Sequence, residues 1–250
     1  MKILANPFRF ALFALALPAA LTFSSCDDDD TEAPQQGKVL ISHAAATSGV
    51  RVKALVNDRE VSQLNYGQTS SYINVNTGAA TLKVNVASSN QTILSPALTI
   101  EKDKAYSAFA YSPTSALGSA AALVVPDDLT APPAGKAKIR LVHLGVDAPT
   151  PVSLSSPSPT VGTTDIVANV AFGTASPFVE LNPGPYNLAI STGSGIGGVV
   201  RLSVGDGTGN SPNTTRNYVA GKIYTVLVRG ISSPSISQEF QLKAVVIENN

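Results

Sequence analysis

Tryptophan is absent from this chain of 250 residues, cysteine and methionine occur once each, histidine occurs twice, and only 14% of residues are charged. Each scarcity excludes something. With Cys26 the only cysteine, no disulfide can form within the chain, so the folded part must hold by core burial alone. Basic and acidic residues number 17 each, and no cluster of Lys and Arg provides a nucleic-acid footprint. Four of the eight Phe (Phe8, Phe10, Phe13, Phe23) lie in the first 25 residues, which leaves few aromatics for an exposed stacking platform. No Gly-x-Ser-x-Gly elbow is present, and nucleophilic catalysis would need a Ser or Cys beside a base and an orienting acid. Beyond residue 25 no segment sustains a helical period.

What is present begins at the front. Lys2 and Arg9 give a cationic start, Phe10 to Phe23 form an uncharged and mostly apolar run, and Ser24-Ser25-Cys26 follows. That run is too short to span a bilayer, which takes about 20 apolar residues. It has the order of a secretory signal, and it resembles a bacterial lipoprotein signal whose lipobox ends in small residues and cysteine. Phe23 stands where Leu is more usual. The resemblance implies that residues 1–25 are removed and that Cys26 becomes the acylated first residue. Two or more acyl chains anchor stably where one does not. Asp27 to Asp30 could be read as a metal tract, but adjacent carboxylates on a tether repel and stay solvated. The run resembles the acidic export signal of Bacteroidota lipoproteins, which implies display on the outer face of the outer membrane. Without the signal the chain has 15 basic and 17 acidic residues.

The remainder reads as strands. Val50, Val52, Ala54 and Val56 alternate with Arg51, Lys53, Leu55 and Asn57, and Leu82, Val84 and Val86 with Thr81, Lys83 and Asn85. Such alternation presents one face to a core and one to water. Val200, Leu202 and Val204, then Phe240, Leu242, Ala244 and Val246, repeat the habit. The chain also repeats itself. Val39-x-Ile41-x-His43 is echoed by Ile139-x-Leu141-x-His143, and Tyr66-Gly67…Tyr72…Gly78 by Phe172-Gly173…Phe178…Gly184 at identical offsets. Glu101 to Tyr106 is echoed by Val219 to Tyr224, and each copy closes on an apolar strand, Ala121–Val125 or Ala244–Ile247. The pattern predicts a lipid-anchor signal (1–25), an acidic tether (26–36), β domains at 37–128 and 135–250, and a stiff linker (129–134).

The motif of a strand ending in His, then aromatic-Gly-x-x-Ser-x-aromatic-x-x-Val-x-x-Gly, then a Lys-x-Tyr strand resembles domain of unknown function 4397 over both halves. The resemblance implies secreted or lipid-anchored proteins with two tandem immunoglobulin-like antiparallel β-sandwich domains, and it brings no established activity. In that family Ala-Ser-Pro-Asp-Ala usually follows the His. Here Ala44-Ala45-Ala46-Thr47 follows in the first copy, whereas the second keeps Asp147-Ala148-Pro149.

His43 and His143, one per copy, invite a metal or catalytic reading. Their repetition favours a shared structural task, a side chain bonding a neighbouring turn. Asp206 to Asn210 resembles a calcium loop but lacks further oxygen ligands, and a turn needs the same residues. Tyr66, Phe172, Tyr72 and Phe178 read as core packing and strand corners. Pro149 to Pro151 and Ser153 to Thr160 read as an exposed loop or edge block. No catalytic, metal or cofactor site is expected. The expected protein is a non-enzymatic envelope lipoprotein anchored to the outer membrane through Cys26. It is expected to face outward (the alternative being the periplasm) and to bind a protein or glycan but no nucleic acid. The alternatives are a structural spacer and an accessory domain that delivers substrate to a separate enzyme.

Overall fold

Alternation and turn residues organise the chain. The computed structural model describes residues 34–205 and 215–250, and among them there is no helix. The first half holds β1 (Gln36–Ala44), β2 (Val52–Val56), β3 (Arg59–Leu64), β4 (Ile73–Asn76), β5 (Gly78–Val86), β6 (Thr92–Leu94), β7 (Ala97–Ile100), β8 (Ala105–Tyr111) and β9 (Ala121–Asp127). The second holds β10 (Ala137–His143), β11 (Val152–Ser158), β12 (Gly162–Val170), β13 (Thr174–Ala175), β14 (Val179–Leu181), β15 (Gly184–Tyr186), β16 (Ala189–Thr192), β17 (Val199–Gly205), β18 (Arg216–Tyr218), β19 (Ile223–Arg229) and β20 (Lys243–Glu248).

In the first half a sheet of order β4-β1-β8-β9 faces one of order β3-β2-β5-β6, with β7 on β5. Val39, Ile41, Val52, Ala54, Leu82, Val84 and Ala108 fill the space between them. The β2–β3 hairpin turns on Asn57 and Asp58, both at positive φ, the backbone that a two-residue hairpin loop matching strand twist requires. The second half repeats the plan with β10, β19 and β20 against β12, β11, β16 and β17, around Ile139, Leu141, Leu154, Val167, Ile190 and Val226. There a parallel contact of β17 with β20 joins the two layers into one nine-stranded sheet. The architecture is all-β and sandwich-like, as the strand pattern predicts.

Two expectations change. The Ser/Pro-rich stretch after Pro151 is not a loop: Val152–Ser158 is β11, paired on both sides by β12 and β16. Its serines are buried because they are bonded, Ser155 to Asp165 and Ser191, and Ser153 to the Asn169 amide. Nor does every strand keep a wet face. β8 and β19 are buried on both faces along nearly their whole length, as is most of β1 and β10. Their outer faces meet each other through Ala44, Phe109, Val142, Leu144 and Leu227, with Leu123, Val125, Val245 and Ile247 packed around them. Residues 34–250 thus form one compact unit, with a core in each half and a third apolar layer at the seam.

Candidate functional site at the seam

Sheet pairing fixes which residues correspond. Leu40 pairs with Ser107 in the first half and Arg140 with Thr225 in the second, so Leu40 and Arg140 are equivalent, as are Ser107 and Thr225. Asp127 pairs with Ala105, and the Asn249 amide donates to the Ile223 carbonyl, which makes Asp127 and Asn249 equivalent. At the seam these positions meet. Arg140 Nη2 lies 2.7 Å from Asp127 Oδ1, and the two side chains are 2% and 0% exposed. Asp127 Oδ2 accepts from Tyr72 Oη at 2.5 Å and from Ser107 Oγ at 2.6 Å. Asn249 Nδ2 donates to Tyr72 Oη at 3.0 Å, Thr225 Oγ1 to Asn249 Oδ1 at 2.8 Å, and Arg140 Nε to Thr225 Oγ1 at 2.9 Å. The ring is closed and draws on both halves. Arg140 also stacks on Phe178, 4.4 Å from the ring centre.

Burial and the neighbouring Asp127 carboxylate push the Tyr72 hydroxyl well above its ordinary range, so it stays protonated and donates. A carboxylate and a guanidinium taken out of water cost several kcal/mol each, and only dense hydrogen bonding offsets that. Here three hydroxyls, an ion pair and an aromatic face supply it.

Above the ring a cleft of about 1110 Å³ opens, lined by Lys38, Lys104, Glu101, Asp103, Asn74, Tyr106, Pro126, Asp128, Thr130, Ser176 and Phe178. It lies beside the point where the chain enters β1, since Gln36 also lines it. Lys138 donates to Asp128 Oδ2 at 2.7 Å; that bond and one from Thr130 hold the Asp128 carboxyl down at about 2. Opposite charges, amides and a half-buried aromatic therefore line one wall system, over a floor that cannot rearrange cheaply.

The histidines sit elsewhere, at the ends of β1 and β10. His43 Nε2 bonds the Val50 carbonyl at 2.9 Å and His143 Nε2 the Pro149 carbonyl at 3.1 Å. In each, Nδ1 faces the amide two residues on, Ala45 or Gly145, at 3.4 Å. Burial lowers the pKa of both rings, so both are neutral, with the proton on Nε2. The geometry is the same in both halves, a strand end tied to the next turn. No group of three or more His, Cys, Asp or Glu among the described residues is placed to hold a metal ion.

The four aromatics of the repeat serve the seam rather than their own cores. Tyr66 lies against Phe240 and under Arg229, whose guanidinium is 4.7 Å from its ring centre. Phe172 meets Tyr111 edge-on at 6.0 Å. Tyr111 and Arg229 are equivalent in register, so the two contacts are one contact made twice. Tyr72 belongs to the ring, and Phe178 lines the cleft. Cys26, Asp27 to Asp30 and Asp206 to Asn210 lie outside the described residues. Sequence reasoning missed Arg140 and Asp127. The signal was there, a charge in an apolar strand at the place where the other copy has Leu40.

Fold and seam together define an all-β protein of packed, sandwich-like halves. Residues 37–154 match the family described as Domain of unknown function (DUF4397), a span that covers the first half and runs through β10 into β11. That match supports the family resemblance seen in the repeat motifs. No curated protein matches the chain. Among solved structures, one described as "CS-rosetta determined structures of the C-terminal domain of AlgF from P. aeruginosa" is 22% identical, covering 46% of this chain and 98% of that chain with a TM-score of 0.28.

Proposed function

We propose that the protein is a non-enzymatic lipoprotein of the cell envelope, held to the outer membrane through Cys26 and displayed outward as a binding or adhesion module with two immunoglobulin-like domains in tandem. The cleft at the seam carries this reading. It is larger than a typical small-ligand pocket of about 300–1,000 Å³, it is open, and its groups suit recognition of a polar chain such as a glycan or peptide. The hydroxyls of the ring are spent on its own hydrogen bonds, and both histidines are tied to turns, which leaves them unavailable as nucleophile and base. A spacer role is the second reading, favoured by the locked seam.

One measurement tests the anchor and another separates the two readings. Cys26→Ser should leave the chain unacylated and absent from the membrane fraction; retention with an unmodified Cys26 overturns the anchor. Glycan-array and envelope-peptide binding should be lost in the Lys38→Glu/Lys104→Glu variant at unchanged melting temperature. Absence of binding by the unaltered protein in both screens favours the spacer.

A further inference from the structure

The two halves differ at one sheet edge. In the second, β17 is seven residues long and ends with Val204 and Gly205 paired in parallel with Ala244 and Val245 of β20. In the first, the strand in the place of β17 is β6, three residues long, which pairs with β5 alone. Among the described residues β9, the counterpart of β20, therefore pairs with β8 on one side and with no strand on the other. Val228 pairs with Ala244 and Ala110 with Ala122, so Ala122 stands where Ala244 receives β17.

The edge of β9 is built to be paired. Ala121 to Val125 carry no charge, and their side chains are held from both faces, Leu123 and Val125 at the seam and Val124 against the first core. Pro126 has no N–H and lies opposite Tyr106. Antiparallel pairs alternate between bonded and non-bonded, so the amides and carbonyls of Ala122 and Val124 point away from β8. The Pro126 carbonyl follows the same parity, reaching out to Arg140 Nη1 at 3.4 Å. Among the described residues no turn or loop backbone takes up the outward groups of Ala122 or Val124. Two other edges are guarded. β3 carries Arg59 and Glu60, and near the start of β12 Thr163 is bonded in both directions to Gly195. Lys, Glu and early capping are the usual means of keeping an edge from recruiting strands, and β9 has only the proline at its end.

We propose that the outer edge of β9 is an acceptor for an extended strand donated by a partner polypeptide, running parallel to β9 in the place that β17 fills in the other half. The donor should be apolar in alternation, uncharged where it crosses Ala122 and Leu123, and small opposite Leu123, as Gly205 is opposite Val245. This site is separate from the cleft and stands or falls independently of it.

The test uses the full chain and a capped peptide with the sequence of residues 199–205, followed by amide hydrogen exchange resolved by NMR. In the free protein Ala122 and Val124 should exchange fast while Leu123 and Val125 are slow, and the peptide should slow the first pair by about tenfold or more. A peptide N-methylated at alternate amides, and Val124→Pro protein, should give no protection. Should Val124→Pro not fold, the methylated peptide on the unaltered protein decides the same point. Ala122 and Val124 already as slow as their neighbours, or unmoved by saturating peptide, overturns the proposal.

Discussion

The two halves share a strand plan, a His-to-turn bond and a glycine turn, and they part company where they touch. Leu40 stands in the place of Arg140, Asp127 in that of Asn249, and Tyr72 in that of Phe178. Residues in the two separate cores can be alike because each core is closed on itself. Across a pseudo-symmetric interface residue i of one half meets residue j of the other, and of the two equivalent places only one holds the ion pair, Arg140 with Asp127, while the other has Leu40 and Asn249. One half therefore carries the cation and the other the carboxylate. Sameness builds each half, and difference joins them.

Making the halves alike should do the greatest damage. Arg140→Leu installs the residue of the first half and leaves Asp127 buried without its partner; a loss of about 3–5 kcal/mol is expected. Adding Asp127→Asn, the residue of the second half, removes the stranded charge and should recover most of that loss in chemical denaturation. A double variant no better than the single would show that the ring's value lies in Arg140 packing on Phe178 rather than in the charges.

The histidines should sharpen the likeness instead. His43→Ala and His143→Ala each remove a buried ring together with its bond to a turn carbonyl, and each should cost about 1–3 kcal/mol, nearly the same in both halves. Burial lowers the pKa of both rings below the ordinary imidazole value of about 6.5. In acid the unfolded chain takes up protons that the folded chain refuses. Stability should thus be complete above pH 6.5 and fall as the pH drops below it, until the folded rings themselves protonate. Melting temperatures followed down this range should decline in the unaltered protein and less steeply in the double His variant. A flat profile would mean the rings stay accessible to protons in the fold.

The smallest contrast is between the two turn glycines. Gly67 and Gly173 both have positive φ, where a β-carbon costs about 1–2 kcal/mol. A β-carbon on Gly67 would also meet Arg229 Nη2 at 2.6 Å, whereas on Gly173 it would meet only Tyr111 Oη at 3.4 Å. Gly67→Ala should be the more destabilising by thermal melting, and the gap should vanish in an Arg229→Met background.

Much of the fold was legible because it is local. Alternation over 52–56 and 81–86 and the repeat of His, aromatic and glycine positions each need only neighbours along the chain. The all-β class, the duplicated strand plan and the turn-bonding geometry of the histidines follow from such signals. β11 escaped because serine and proline signal loops until hydrogen-bond partners from β12 and β16 make a serine cheap to bury.

The candidate site was not legible, for a physical reason. Its parts come from the residue before β4, from β8, β9, β10 and β19, and from the chain beyond β20, and no spacing in the sequence marks that they converge. The sequence determined which faces are apolar, where the chain turns and that it does so twice. Tertiary structure alone decided that β1, β8, β10 and β19 are covered on both sides, because burial of an outer face depends on what a distant segment brings to it. The same holds for the free edge of β9, whose vacancy is visible only beside the paired edge of β20.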